Sequence, residues 1–341
     1  MKTEITSSIH YVGVNDRHKT LFEGLWPLPY GVSYNSYIIL DDKIALVDTV
    51  EVDFFPQFLD NIRRVIGDRQ IDYIIVNHVE PDHSGSIALI KKYYPEAVIV
   101  GNKKTLGMLS GYYGVGNKGD ILEVKQGDTL SLGHHELAFT MVPMVHWPDS
   151  MLTYMADEKI LFPNDAFGQH YATDTLTDSD DLDIIIDQAK KYYGNIVLPY
   201  GAQVQKVLEA AAGLPIDMIC PSHGVCWVKH IPEIVAKYKK WSAYETDADK
   251  AVIIFDSMWG STEKMANEIA DAWTAKGLRV TLCCLKTTNI SDAVNAMVEA
   301  KYVGFGSPVL NNGIMPPMGA FMTYIKGLSP KNKTAFVFGS Y

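Results

Sequence analysis

Residues 77–84 read Asn-His-Val-Glu-Pro-Asp-His-Ser and follow the apolar run 73–76, so His78, Glu80, Asp82 and His83 crowd the end of one strand-like segment. Three later apolar runs end in the same way: 137–142 leads to His146, 159–162 to Asp165 and 216–220 to His223. Open α/β sheets place their sites in loops beyond strand ends, so these four loops are expected to converge at one rim. A chain that spreads one polar cluster over four distant strand ends needs sheets that deliver their loops to a common edge.

Seven nitrogen and oxygen donors suit two metal ions sharing a bridge, and Asp165, alone on its loop, is the natural bridging carboxylate. Zinc favours imidazole and thiolate, whereas mixed imidazole and carboxylate sets with open positions suit non-haem iron. Four histidines and three carboxylates tilt this set toward a di-iron site.

The chain has 341 residues, enough for about two domains. Up to about residue 245, short β-branched runs (37–40, 44–47, 73–76, 98–100, 137–142, 159–162, 216–220) alternate with helical patterns at 53–66, 85–94, 203–212 and 232–244. Many strands before the first long crossover predict a mixed sandwich for residues 1–246. The polar stretch 245–250 reads as the boundary. Residues 250–341 follow a plainer α/β rhythm of four strands and three helices, beginning with the continuous apolar run 251–255. The net charge of −10 argues against a nucleic-acid binder. No apolar run approaches a bilayer span and the first residues lack a signal-peptide core, so a cytoplasmic location is expected. Four cysteines without a C-x-x-C spacing exclude a disulfide framework and a built-in rubredoxin module.

A second constellation opens the later domain. Ser257, Met258, Trp259, Gly260, Ser261 and Thr262 form a hydroxyl-rich loop between strand and helix, where free N–H groups and the helix dipole favour a phosphate. No Lys stands in a GK[ST] arrangement, which excludes a nucleotide triphosphate loop. The loop resembles the FMN phosphate site of flavodoxin. Ser307, Pro308, Val309, Leu310, Asn311, Asn312 and Gly313 form a turn-rich loop after the third strand, where flavodoxins wrap the isoalloxazine ring. Gly339, Ser340 and Tyr341 begin a third loop, which also contacts flavin in that fold.

The pattern H-x-[HE]-x-D-H with distant His, Asp and His resembles the metallo-β-lactamase fold. Glu80 at the second motif position, with Asp165 as bridge, resembles the flavodiiron proteins, also called A-type flavoproteins. The stretches LPYGVSYNSYII, FPNDAFGQH and PSHGV are similar as well. The resemblance implies an α/β fold: a metallo-β-lactamase-like αβ/βα sandwich followed by a C-terminally truncated flavodoxin-like doubly wound parallel sheet. The fifth strand and last helix of that sheet would be missing, and FMN would be held with part of its site absent. His78, Glu80 and His146 would bind one iron, Asp82, His83 and His223 the other, and His83 is sometimes unbound in relatives. The implied activity is reduction of dioxygen to water, nitric oxide to nitrous oxide, or both, with electrons from FMN. Tyr193 and His170 would stand behind the irons as proton sources. A head-to-tail homodimer or tetramer, served by a rubredoxin-like protein or a reduced deazaflavin, would bring each flavin to its partner's irons. The competing readings are a zinc hydrolase of the metallo-β-lactamase fold, which Glu80 opposes by adding an anionic ligand, and a non-catalytic di-iron gas or redox sensor.

Other features read as structural. The acidic loop Asp174, Asp178, Asp180, Asp181 and Asp183 lacks an EF-hand turn and reads as a solvated helix N-terminus. His134 and His135 read as solvated turn residues. Cys220 reads as a small buried thiol, and the adjacent Cys283 and Cys284 face opposite sides of a strand and need no redox role.

Overall fold

The structure is a computed structural model describing residues 3–116, 119–179 and 181–341, so Asp180 of the acidic loop lies outside the described residues. Among these, the first of two units takes the residues up to Thr20, Leu28–Ala189 and Lys206–Val235. The second takes Leu21–Pro27, Lys190–Gln205 and Ala236–Tyr341.

Two mixed sheets build the first unit. One orders its strands Ile9–Tyr11, Tyr37–Ile39, Ala45–Val47, Tyr73–Ile75, Val98–Gly101 and Ile121–Glu123; the other runs Thr129–Ser131, Glu136–Met141, Met151–Met155, Ile160–Phe162 and Met218–Ile219. Alternate residues of both point into one shared core: Tyr37, Ile39, Ala45, Val47 and Ile75 from the first sheet meet Leu137, Phe139, Met151, Ile160 and Phe162 from the second. Helices cover the outer faces. The helix Phe55–Ile66 buries Phe55, Phe58, Leu59, Ile62 and Ile66, a stripe at helical spacing, and ends at Gly67 with φ of 61°.

The helix Lys103–Tyr113 lies in a segment that shows no helical pattern in the sequence. Gly107, Ser110 and Gly111 dilute its periodicity, and only Thr105, Leu106 and Leu109 are buried. Its start is fixed locally, because the Asn102 side chain accepts from the N–H groups of Lys104 and Thr105. Asp178 also departs from the solvated reading. It is buried and accepts the N–H groups of Val228, Lys229 and His230, tying its loop to the chain after Cys226.

In the second unit four parallel strands lie in the order Arg279–Cys284, Asp247–Phe255, Ala300–Gly306 and Thr334–Phe338, accompanied by the helices Ser261–Thr274, Ile290–Val298 and Pro316–Leu328. Residues 251–255 are wholly buried, as the strand flanked on both sides should be. That strand begins at Asp247, inside the polar stretch 245–250. Charge pairing makes this possible: Lys240 and Lys250 lie 2.6 Å and 2.9 Å from the Asp247 carboxylate. No helix among the described residues is long and apolar enough to cross a membrane.

Candidate functional site

His78 enters the rim just beyond the strand Tyr73–Ile75, and Glu80 precedes the single helical turn Pro81–Ser84 that carries Asp82 and His83. Proline suits the first position of that turn because its missing N–H has no partner there. Asn77 anchors the approach, donating its N–H to Asp48 Oδ1 at 2.8 Å and accepting from Thr153 Oγ1 at 2.7 Å. His146, Asp165 and His223 each follow the end of a strand of the second sheet. The fold brings all seven together, and none exceeds 9% exposure.

Their spacing resolves into two groups joined by one side chain. Asp165 Oδ2 lies 3.0 Å from His146 Nε2 and 3.6 Å from His78 Nε2, and both nitrogens are 3.3 Å from Glu80 Oε2. Asp165 Oδ1 lies 2.9 Å from His83 Nε2 and 3.6 Å from His223 Nε2, while Asp82 stands 3.5 Å and 3.2 Å from the same two nitrogens. A metal ion about 2.1 Å from each donor sets donors about 3.0–3.4 Å apart, and the distances here, 2.9 to 3.6 Å, straddle that range. Both oxygens of Asp82 and both ring nitrogens of His83 are buried with no well-aligned hydrogen bond among the described residues. Such orphans cost about 1–3 kcal/mol apiece unless a ligand satisfies them, so the residues fit a pair of cations.

The surrounding groups set which nitrogen faces inward. Asp149 is fully buried and takes His78 Nδ1 at 3.1 Å together with the Val79 N–H at 2.8 Å, leaving Nε2 for the pocket. His223 Nδ1 donates to the Ser33 carbonyl at 2.6 Å, with the same consequence. Ser222 Oγ donates to Asp165 Oδ1 at 2.7 Å. The Trp147 ring stands edge-on to His78 at 5.0 Å, and Tyr34 stands edge-on to His223 at 6.1 Å. Asp149, Ser222, Trp147 and Tyr34 were not legible as site residues. The one signal was their closeness in sequence to His146 and His223, or to the motif stretch containing Tyr34.

The electrostatics express a demand for positive charge. Burial alone would lower the pKa of His78, but hydrogen bonds to Asp149 and Glu80 outweigh it and push it up to about 10. Burial likewise opposes protonation of His146, yet Asp165 and Glu80 raise it to about 10. The charges of Asp82 and Asp165 overcome burial to lift His83 to about 9. Burial also works against ionisation of Glu80 and Asp165, but the surrounding imidazoles hold both carboxyls well below their usual range. Three buried carboxylates need compensating cations, which metal ions would supply in place of protons.

His170 is buried with its ring edge-on to His223 at 5.3 Å. Tyr193 lies in the second unit, where its ring packs on Tyr238 at 5.1 Å and Trp241 at 5.4 Å, and its hydroxyl has no hydrogen-bond partner among the described residues.

In the second unit the three phosphate- and flavin-type loops are knit together. Thr262 Oγ1 and Ser340 Oγ are 3.1 Å apart, Val309 N donates to the Ser340 carbonyl at 2.8 Å, and Ser307 N donates to the Phe338 carbonyl at 3.1 Å. Ser257 Oγ accepts the Gly260 N–H at 3.1 Å, and Gly260 takes φ of 84°. The helix Ser261–Thr274 starts with no side-chain cap, so its first N–H groups stay open to an anion. Asn311 and Asn312, with φ of 49° and 60°, turn the short hairpin of Val309–Leu310 and Gly313–Ile314. Trp259 is 94% exposed on this loop.

Comparison with known proteins places this geometry in context. A family model described as ODP family beta lactamase matches residues 32–224, and one described as flavodoxin matches residues 253–341. A nitric oxide reductase of Moorella thermoacetica is 38% identical over 341 residues, spanning 99% of this chain and 85% of that protein. A rubredoxin-oxygen oxidoreductase of Megalodesulfovibrio gigas is 37% identical over 345 residues, spanning 99% and 85%. The crystal structure of a flavodiiron protein from Giardia intestinalis superposes with a TM-score of 0.96 at 34% identity, covering 99% of this chain and 83% of that one.

Proposed function

Because the chain belongs to the flavodiiron protein family, we propose that it is an oxidoreductase reducing dioxygen to water, nitric oxide to nitrous oxide, or both. The reaction would run at a pair of non-haem irons with electrons from FMN. The observation that carries this reading is the division of Asp165, one oxygen toward His78, His146 and Glu80, the other toward His83 and His223. A single carboxylate facing two donor sets is the arrangement a bridged metal pair requires.

His78, Glu80 and His146 would hold one iron and Asp82, His83 and His223 the other. Bound iron would supply electron exchange and Lewis acidity toward a diatomic substrate. The chain's own contribution is positional. Asp149 fixes the tautomer of His78, the Ser33 carbonyl fixes that of His223, and Ser222 orients the bridge. Trp147 packs edge-on against His78 at 5.0 Å and holds its ring in place. Glu80 brings negative charge where a neutral imidazole would suit zinc-bound water better, which favours the redox reading over the hydrolytic one. His170 and Tyr193 are proposed as proton-exchanging residues, and the contact of His170 with His223 supports the first.

In the second unit, Ser257, Ser261, Thr262 and the open N–H groups of the helix Ser261–Thr274 would bind the FMN phosphate. Met258, Trp259, the 307–313 loop and residues 339–341 would border the flavin ring, which supplies electrons singly or in pairs. We further propose a cytoplasmic head-to-tail homodimer or tetramer, fed by a rubredoxin-like protein or a reduced deazaflavin. The test is a side-by-side steady-state assay of the FMN- and iron-loaded protein with dioxygen and nitric oxide under a chemical flavin reductant. Multiple turnovers with at least one gas are expected, whereas gas binding without turnover would make the protein a sensor instead.

A further inference from the structure

We propose that Cys220 and Cys226 are a redox-modifiable dithiol, converted by hydrogen peroxide to an intrachain disulfide that staples the loop carrying His223. The backbone register places the pair. Ile219 and Trp227 exchange both of their backbone hydrogen bonds, at 3.0 Å and 2.9 Å, and so form a hydrogen-bonded antiparallel pair. One step toward the loop, Cys220 stands opposite Cys226 in a non-hydrogen-bonded pair. Their N–H groups point away from each other, to the Leu161 and Leu176 carbonyls at 2.8 Å each. Opposed residues at such a position have Cα atoms about 4.5 Å apart. Disulfides span Cα separations of about 4.4–6.8 Å, so the bond asks for little backbone movement.

Both side chains leave the ladder on the same face and enter the same apolar cluster, beside Tyr37 and Phe162. The Tyr37 hydroxyl lies 3.6 Å from Cys226 Sγ. The five residues between the cysteines include Ser222, which holds Asp165, and His223 itself. Oxidation would therefore close a small ring around two groups of the metal pocket.

The chemistry balances with peroxide alone. One thiol loses its proton, the thiolate attacks a peroxide oxygen as the O–O bond breaks, and the leaving hydroxide takes up that proton, giving a sulfenic acid and one water. The second sulfur then attacks the sulfenic sulfur, the S–S bond forms as S–O breaks, and the departing hydroxide takes the remaining thiol proton as a second water. Two thiols are oxidised, one peroxide is reduced, and a dithiol reductant reverses the exchange. Burial raises the Cys220 thiol well above its ordinary range, so the thiolate is scarce and oxidation is slow, and the same burial admits only a small neutral oxidant. Cys283 and Cys284 sit side by side on the strand Arg279–Cys284 and cannot pair in this way.

The proposal does not rest on the iron reading, and metal-free protein suffices to test it. The full chain is reduced, exposed to hydrogen peroxide while folded, quenched with catalase, then unfolded in an alkylating reagent and cut with trypsin. Residues 207–229 form one tryptic peptide holding Cys220 and Cys226 and no other cysteine, while Cys283 and Cys284 fall in a different one. The expected product is the 207–229 peptide without alkyl groups and lighter by two hydrogens, restored to double alkylation by prior reduction. In Cys226→Ala the cross-link should vanish and Cys220 should appear as a trappable sulfenic acid. If that variant does not fold, the alkylation state of the native chain's 207–229 peptide before and after peroxide decides alone. Full double alkylation after peroxide, or a cross-link to Cys283 or Cys284, would overturn the proposal.

Discussion

Asp165 concentrates the chemistry of the site at one residue. Its two oxygens face different imidazole pairs, its Oδ1 accepts from Ser222, and it is buried with its charge intact. The metal choice is written at Glu80, which adds a negative donor between His78 and His146. Replacing it by a neutral imidazole should weaken the hold on iron and favour zinc. For Glu80→His, metal analysis after growth with both metals is expected to show reduced iron and increased zinc; unchanged iron content would contradict the ligand argument. All seven residues that the fold brings together were legible in the sequence because imidazoles and carboxylates at strand ends declare their chemistry by type and spacing. Asp149 was not, although it lies only three residues beyond His146. An aspartate in a loop looks the same whether it faces water or, as here, is fully buried against His78 Nδ1.

At the scale of elements, legibility followed periodicity. The helix Phe55–Ile66 and the strand through residues 251–255 carry patterns that only one structure satisfies. The helix Lys103–Tyr113 does not, since two glycines and a serine blur its face and its stability comes from the Asn102 cap and tertiary packing. Strands of two or three residues, such as Met218–Ile219, are too short to show alternation by themselves. The flavin-type loops depend on close backbone approach at Gly339, where an added Cβ would stand 1.9 Å from the Ser307 carbonyl oxygen. Gly339→Ala should force the two loops apart and weaken FMN binding about tenfold or more, read by fluorescence titration. Wild-type affinity in that variant would show that the loops do not form the flavin site.

The start of the second unit's central strand has its own electrostatic lock. Burial opposes ionisation of Glu299, but hydrogen bonds from Lys250 at 2.5 Å and Trp241 Nε1 at 3.1 Å hold its pKa at about 2. A carboxyl titrating near 2 when folded and near 4.5 when unfolded stabilises fully above the higher value, and that stabilisation is lost as pH falls through the lower one. Acid unfolding followed by Trp241 fluorescence should therefore be less steep between these pH values in Glu299→Gln, which is also less stable at neutral pH. An acid limb identical to that of the native protein would remove Glu299 from the account.

Over the whole molecule, one chain carries two chemically distinct regions, a donor-lined pocket in the first unit and a hydroxyl-rich loop at an uncapped helix start in the second. Membership of the flavodiiron family explains why both occur together, and the proposed function assigns metals and substrate to the first and electron storage and exchange to the second. The most direct test is anaerobic reconstitution with ferrous iron, followed by metal analysis and Mössbauer spectroscopy of the oxidised protein. The account predicts about two irons per chain, spin-coupled through a shared carboxylate and reducible as a pair. A single uncoupled iron, or stoichiometric zinc that resists exchange for iron, would contradict it.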